Sequence, residues 1–237
     1  MNTEDILLEA IRYRIFQDNI GNRGKNGDKK DRDKEKIEEI LNFDLSDVED
    51  SKVEKLRQDY ENFLNSISDS EQARQRDRHN FRQSNTKITP SILYIDRRAV
   101  TEDSILKYIT DFLKSKDIND ISDRDIVFLG RALANIAIAH DAKNTEMRRF
   151  LDSTKKIRNN YVNRSDEFRR EYLLSLKVNF DYFATRHTQL KEIVNIIDVF
   201  ISRITDDGIR GFNQFLKLDR LIEALIVYHK VYGGREK

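Results

Sequence analysis

Apolar residues recur at every third or fourth position along much of this chain, a spacing that predicts helices rather than strands. The first predicted helix runs from Thr3 to Asp18, with Ile6, Leu7, Ala10, Ile11 and Ile15 near one face. Gly21 to Lys36 carries no apolar side chain and reads as a disordered linker. From Val53 a heptad stripe of Val53, Leu56, Tyr60, Phe63 and Ile67 follows; two heptads are too few for a coiled coil, so packing within the chain is expected. Residues 69–87 are polar and arginine-rich, with Arg74, Arg76, Arg78, Arg82 and Lys87, which suits a solvated arm or a segment that touches RNA. Ile92 to Ile95 leans towards strand but is too short to establish a sheet.

Beyond residue 100 the helical signals become regular. Thr101 is placed to cap a helix carrying Ile105, Ile109, Phe112 and Leu113. Ser122, with Asp125 three residues on, predicts a second helix with Ile126, Leu129, Leu133, Ile136 and Ala137 facing inward. Thr145 is expected to begin a third (Met147, Phe150, Leu151, Tyr161), and Ser165 a fourth (Phe168, Tyr172, Leu176, Phe180, Phe183). Leu190, Val194, Ile197, Ile201 and Ile204 form a fifth, and a last helix spans Ile209 to Tyr232. The predicted fold is all-α: a five-helix bundle over residues 118–237, preceded by a charged, partly disordered helical extension over residues 1–117 with its linker at 21–36.

Composition agrees with this and narrows the chemistry. Charged residues make up 36% of the 237 positions and there is one proline, which favours solvated helices. The absence of cysteine excludes disulfides and thiolate metal sites. No apolar run approaches the roughly 18 residues needed to span a bilayer, and the acidic, polar N-terminus does not have the pattern of a signal peptide; the expected location is cytoplasmic. The net charge of +1 hides an asymmetry: residues 1–117 hold 22 basic and 25 acidic residues, residues 118–237 hold 21 and 17. Between Lys143 and Arg170 there are nine basic residues and four acidic ones, a concentration that a solvated helix face or a phosphate backbone contact would each explain.

Motifs for catalysis are sparse. The four histidines, His79, His140, His187 and His229, make no H-E-x-x-H and no closely spaced pair, and no phosphate loop or nucleophile elbow is present. No metal or other cofactor is therefore expected, and the adjacent His140 and Asp141 are read as a surface or capping pair. Arg74 and His79 fit the R-x4-H spacing of HEPN-type helical ribonucleases, a short pattern that arises easily among arginines.

The stretch LDRLIEALIVYHKVYGGREK, Leu218 to Lys237, joins an apolar helix to an aromatic, basic end closed by two glycines. It resembles the C-terminus of the small subunit of the type III-A (Csm) CRISPR effector complex. Phe212, Phe215, Glu223, Ala224, Leu225, Ile226, Tyr228, His229, Lys230, Tyr232, Gly233 and Gly234 stand where that family reads F-x-x-F and then E-A-[LI]-[VI]-x-Y-[HF]-K-x-Y-G-G. T-K-K-I-R-N at Thr154 to Asn159 and L-K-V-N-F-D-Y-F-A-T-R at Leu176 to Arg186 are similar to two further family stretches, with Thr185 where the family usually has glycine. The resemblance covers residues 118–237 and says nothing of residues 1–117.

It implies a non-catalytic subunit packed in several copies along the complex, lining the groove that holds guide RNA and target RNA, with other effector subunits and copies of itself as partners. Lys and Arg would neutralise phosphate charge while base pairing selects sequence. At 100° per residue, Arg149 and Lys156 point away from the apolar face of the Thr145 helix, Arg148 and Lys155 flank it, and Arg158 lies close to it. These five, with Arg186 and Lys230, are the candidate RNA-binding residues. Tyr228 and Tyr232 are candidates for base stacking or for the core. The competing readings are a helical protein-interaction adaptor without RNA binding and the ribonuclease.

Overall fold

The computed structural model describes residues 2–21, 45, 47–59, 61 and 102–236. By packing, residues 1–22 and 101–237 make one compact unit and residues 23–100 another. In the second unit, residues 50–59 form helix α2, with Val53 and Leu56 buried alongside Leu45 and Val48. The rest of the expected heptad stripe (Tyr60, Phe63, Ile67), the linker, the arginine-rich arm with Arg74 and His79, the strand-leaning Ile92–Ile95 and the capping Thr101 lie outside the described residues.

The first unit contains α1 (Thr3–Gly21), α3 (Glu102–Ser115), α4 (Asp123–Ala139), α5 (Asn144–Tyr161), α6 (Tyr172–Arg186), α7 (Lys191–Ser202) and α8 (Gly208–Val231), with 3-10 turns at Ile118–Asp120, Ser165–Glu167 and Thr188–Leu190. No strand occurs among the described residues, and the all-α class is confirmed. The five helices predicted from Ser122 onward are present as α4 to α8. Two more, α1 and α3, pack with them, although both come from the part of the chain expected to form an extension.

The position of α1 explains the burial of α4. Sequence spacing assigns α4 one inward face; in the structure every residue from Phe128 to Ala137 is buried, because α8 covers one side and α1 another. Thr3 at the start of α1 donates to Asp125 at 2.7 Å, and Arg14 donates to Asn135 at 3.3 Å and to the Tyr232 carbonyl at 2.7 Å. The α4–α8 crossing is close because Gly130 has no side chain: a Cβ there would stand 2.5 Å from the Ala224 methyl. Ser122 caps α4 as expected, accepting from the Asp125 N–H at 3.1 Å while Asp125 accepts from the Ser122 N–H at 3.2 Å.

Three details correct the sequence reading. The third helix begins at Asn144, preceded by Lys143, whose N–H donates to Glu146 at 3.2 Å; Thr145 is exposed in its first turn. Leu151 and Tyr161 are only half-buried, and the fully buried apolar pair of α5 is Met147 and Phe150. Ser165 opens a 3-10 turn rather than a long helix. The chain leaves the helical path near Phe168 and resumes at Tyr172: Phe168, Leu176, Phe180 and Phe183 are buried, whereas Tyr172, at the first position of α6, stacks on Tyr161 and is 47% exposed. Phe168 packs on Phe212 and Phe215, and Phe150 meets Phe180 and Phe183 edge-on at 4.8 and 5.3 Å.

Candidate nucleic-acid interface

Helix α5 is amphipathic in an unusual way: its outward arc is mostly cationic. Met147, Phe150 and Thr154 are buried against the neighbouring helices, which turns Arg148, Asp152, Lys155, Lys156 and Asn159 to solvent. Arg148, Lys155 and Lys156 are exposed and make no ion pair among the described residues. Asp152 is the single carboxylate on that arc, so positive charge remains in excess.

The other candidates are differently held. Arg149 lies over the Phe183 ring of α6 at 5.3 Å, and Arg186 lies over Tyr182 at 4.9 Å; both guanidiniums are exposed with one face on an aromatic ring, where stacking limits their freedom without removing their charge. Arg158 crosses to α8 and donates to Asp219 at 3.2 Å. The Asp219 side chain is 1% exposed, so this arginine compensates a buried carboxylate while its own side chain stays 43% exposed. Lys230 pairs with Glu236 at 3.2 Å on the surface. The structure thus gathers Arg148, Arg149, Lys155 and Lys156 on one helix, with Arg186 on the adjacent α6, and pairs Arg158 with Asp219 and Lys230 with Glu236.

The remaining basic residues between Lys143 and Arg170 serve the turn that follows α5. Arg164 donates to the Asn160 carbonyl at 2.7 Å, Arg169 to the carbonyls of Asp166 and Phe168, and Arg170 to that of Thr205. The departure at Thr185 is absorbed without distortion. Thr185 is helical, its hydroxyl donates to the Tyr182 carbonyl at 2.7 Å, and Asp141 is the sole non-glycine residue with positive φ among the described residues.

The glycine-terminated end turns out to position α5. Gly233, at φ 78°, donates to the Lys230 carbonyl and Gly234 to that of His229, which is the paired closure of a Schellman motif. The chain then turns back so that Arg235 and Glu236 accept from the N–H groups of Asn144 and Thr145 at 2.8 and 3.4 Å, capping the basic helix. Gly234 lies so close to the His229 ring that a Cβ would fall 2.2 Å from it. His229 is fully buried and its Nε2 donates to the Ala142 carbonyl at 2.9 Å; burial lowers its pKa, so the ring is neutral. Tyr228 and Tyr232 belong to the packing: Tyr232 Oη accepts from the buried Arg131 at 2.9 Å, and Arg131 lies over the Tyr228 ring.

Sequence reasoning missed Asp219 and the tail contacts, whose only signal was the pair of glycines. It placed His140 and Asp141 correctly: His140 closes α4 and meets Glu102 at 2.8 Å, and Asp141 pairs with Arg235. Among the described residues no group of three His, Cys, Asp or Glu is arranged to hold a metal ion, and no helix is long and apolar enough to cross a membrane.

The geometry is that of a compact all-helical domain with a rigidly capped basic helix on its surface. Residues 122–235 match the family model Csm2 Type III-A, so this segment is similar to the small subunit of the type III-A CRISPR effector complex. No curated protein and no solved structure matches the chain. Helices α1 and α3 lie outside the matched segment; α1 still buries part of its central helix, and α3 packs on α1 and α7.

Proposed function

We propose that the chain acts as a non-catalytic small subunit that packs in several copies along the groove holding guide RNA and target RNA, and that the outer arc of α5 contacts the RNA backbone. The observation that carries this reading is the set of exposed cations without carboxylate partners: Arg148, Lys155 and Lys156, with Arg149 and Arg186 stacked on rings beside them. Free, solvated cations on a rigid element suit phosphate neutralisation, which needs charge at fixed spacing and ignores base identity. Arg158 and Lys230 support the subunit's own structure in this reading.

The test is RNA binding by the full chain across a salt series, comparing wild type with Lys155→Glu, Lys156→Glu as a double variant. Affinity that falls as salt rises, and falls further in the double variant, supports the RNA-contacting surface. Equal affinity in the two proteins removes α5 from the interface, and absence of binding at low salt by the assembled effector's small subunit returns the chain to a protein-only adaptor.

A further inference from the structure

The first helix grips the end of the last one. Arg14 of α1 is 4% exposed and donates to the Tyr232 carbonyl at 2.7 Å and to the Asn135 side chain of α4 at 3.3 Å. Tyr232 closes α8, so its carbonyl is among those at a helix C-terminus that find no donor within the helix. The guanidinium supplies that donor, in a charge-assisted bond. Ile6, Leu7, Ala10 and Ile11 bury the apolar face of α1 and account for its docking; the hydrogen bonds of Arg14 add direction, which apolar contacts do not.

The Tyr232–Gly233 peptide is planar and is held on both sides. Arg14 binds its carbonyl, and its N–H donates to the Lys230 carbonyl at 3.1 Å. Fixing that plane fixes where the chain goes next. Nothing lies within 4 Å of where a Gly233 Cβ would stand, and glycine admits many backbone paths, so the pinned peptide rather than packing at Gly233 selects the φ of 78°. The selected path carries the Arg235 and Glu236 carbonyls to the N–H groups of Asn144 and Thr145 in the first turn of α5, which have no acceptor in their own helix. Arg14 also acts on the buried His229 beside Gly234: burial lowers the pKa of that ring, and the charge of Arg14 lowers it further.

We propose that Arg14 is a positioning residue for α5: by pinning the Tyr232–Gly233 peptide it keeps the tail on the path that caps the basic helix, and so couples α1 to the first turn of α5. Helix α1 lies outside residues 122–235, so the coupling belongs to this longer chain and not to the matched segment alone. Its consequence for RNA rests on α5 being the RNA surface; its consequence for the α5 amides does not.

Amide hydrogen exchange of the full chain without RNA tests it. The Asn144 amide, which the tail caps, is compared with that of Leu133 in the middle of α4, which reports the fold as a whole. In Arg14→Met, Asn144 should exchange about tenfold faster relative to Leu133, the order expected for a lost hydrogen bond to a charged group. Because the ratio is read, general destabilisation of the variant does not imitate this result. Arg14→Lys keeps a charged donor and should restore most of the protection. A chain ending at Gly233 lacks the caps and should already show fast Asn144 exchange, with Arg14→Met adding nothing to it. An unchanged ratio in Arg14→Met, no rescue by lysine, or additive effects of substitution and truncation overturns the proposal. RNA affinity, measured on the same proteins, should fall about fivefold in Arg14→Met, the lower end of ordinary coupling between sites. Fast Asn144 exchange with unaltered affinity upholds the positioning and removes α5 from the RNA surface, whereas altered affinity with unaltered exchange overturns the positioning.

Discussion

Arg158 on α5 and Asp219 on α8 meet at 3.2 Å, and the carboxylate of this pair is buried while the guanidinium reaches solvent. The arginine most readily taken from the T-K-K-I-R-N stretch as an RNA ligand is therefore also a strut between two core helices. Its replacement leaves Asp219 buried without its cation.

Arg158→Glu and Lys156→Glu, two residues apart, should consequently behave differently. The first is expected to lower stability by about 2–4 kcal/mol, the lower side of what breaking a buried pair costs because Arg158 is half-exposed. The second should stay within about 0.5 kcal/mol of wild type, as for an exposed side chain without partners. Urea unfolding of both variants decides the matter, and equal stabilities would show that the Arg158–Asp219 contact carries no weight.

How much of this was legible from sequence follows the range of the interactions involved. The Ser122–Asp125 cap was readable because both partners lie within one turn, and the inward set of α4 because helical spacing fixes it. The complete burial of α4 was not, since it depends on α1 returning from more than a hundred residues away to place Thr3 on Asp125 and Arg14 on Asn135. Likewise the position of Arg158 beside the apolar face was visible at 100° per residue, but its partner is 61 residues distant. Helical spacing puts Tyr172 on the face of Leu176, but Tyr172 is the first residue of α6, where it stacks on the half-buried Tyr161 at 5.3 Å instead of entering the core, a contact no local pattern shows.

The crossing of α4 and α8 predicts a compensating pair. Gly130→Ala should cost about 1–3 kcal/mol, since the added methyl meets Ala224 and overpacks a tight contact despite the better helix propensity of alanine. Ala224→Gly in the same chain should recover part of that loss by removing the methyl that it strikes. Thermal unfolding of the two single variants and the double variant tests this, and strictly additive effects would refute the contact.

If α5 lies along RNA phosphates, each exposed cation contributes a definite share of the salt dependence. Arg148→Ala should reduce the slope of log affinity against log salt by about 0.7 to 0.9, the value for one lost phosphate contact. Lys230→Ala, whose ammonium is paired with Glu236, should leave the slope unchanged. Equal slopes for Arg148→Ala and wild type would place the phosphates elsewhere.

His229 links stability to pH through the glycine-closed tail. Burial holds its pKa below the ordinary 6.5, so in mildly acidic solution the unfolded chain binds a proton that the folded chain refuses. The sign follows: the neutral ring's contribution is complete above about pH 6.5 and is lost as pH falls towards the depressed folded value, at no more than about 1.4 kcal/mol per pH unit. Protonating Nδ1 would also place a charge under Gly234, where the tail turns back to cap α5. Stability measured by urea unfolding at pH 7.0, 6.0 and 5.5 should therefore fall in wild type and fall less steeply in His229→Gln, which keeps a donor for the Ala142 carbonyl but does not titrate. Parallel decreases in the two proteins would assign the acid sensitivity to other groups and leave His229 a purely steric part of the closure.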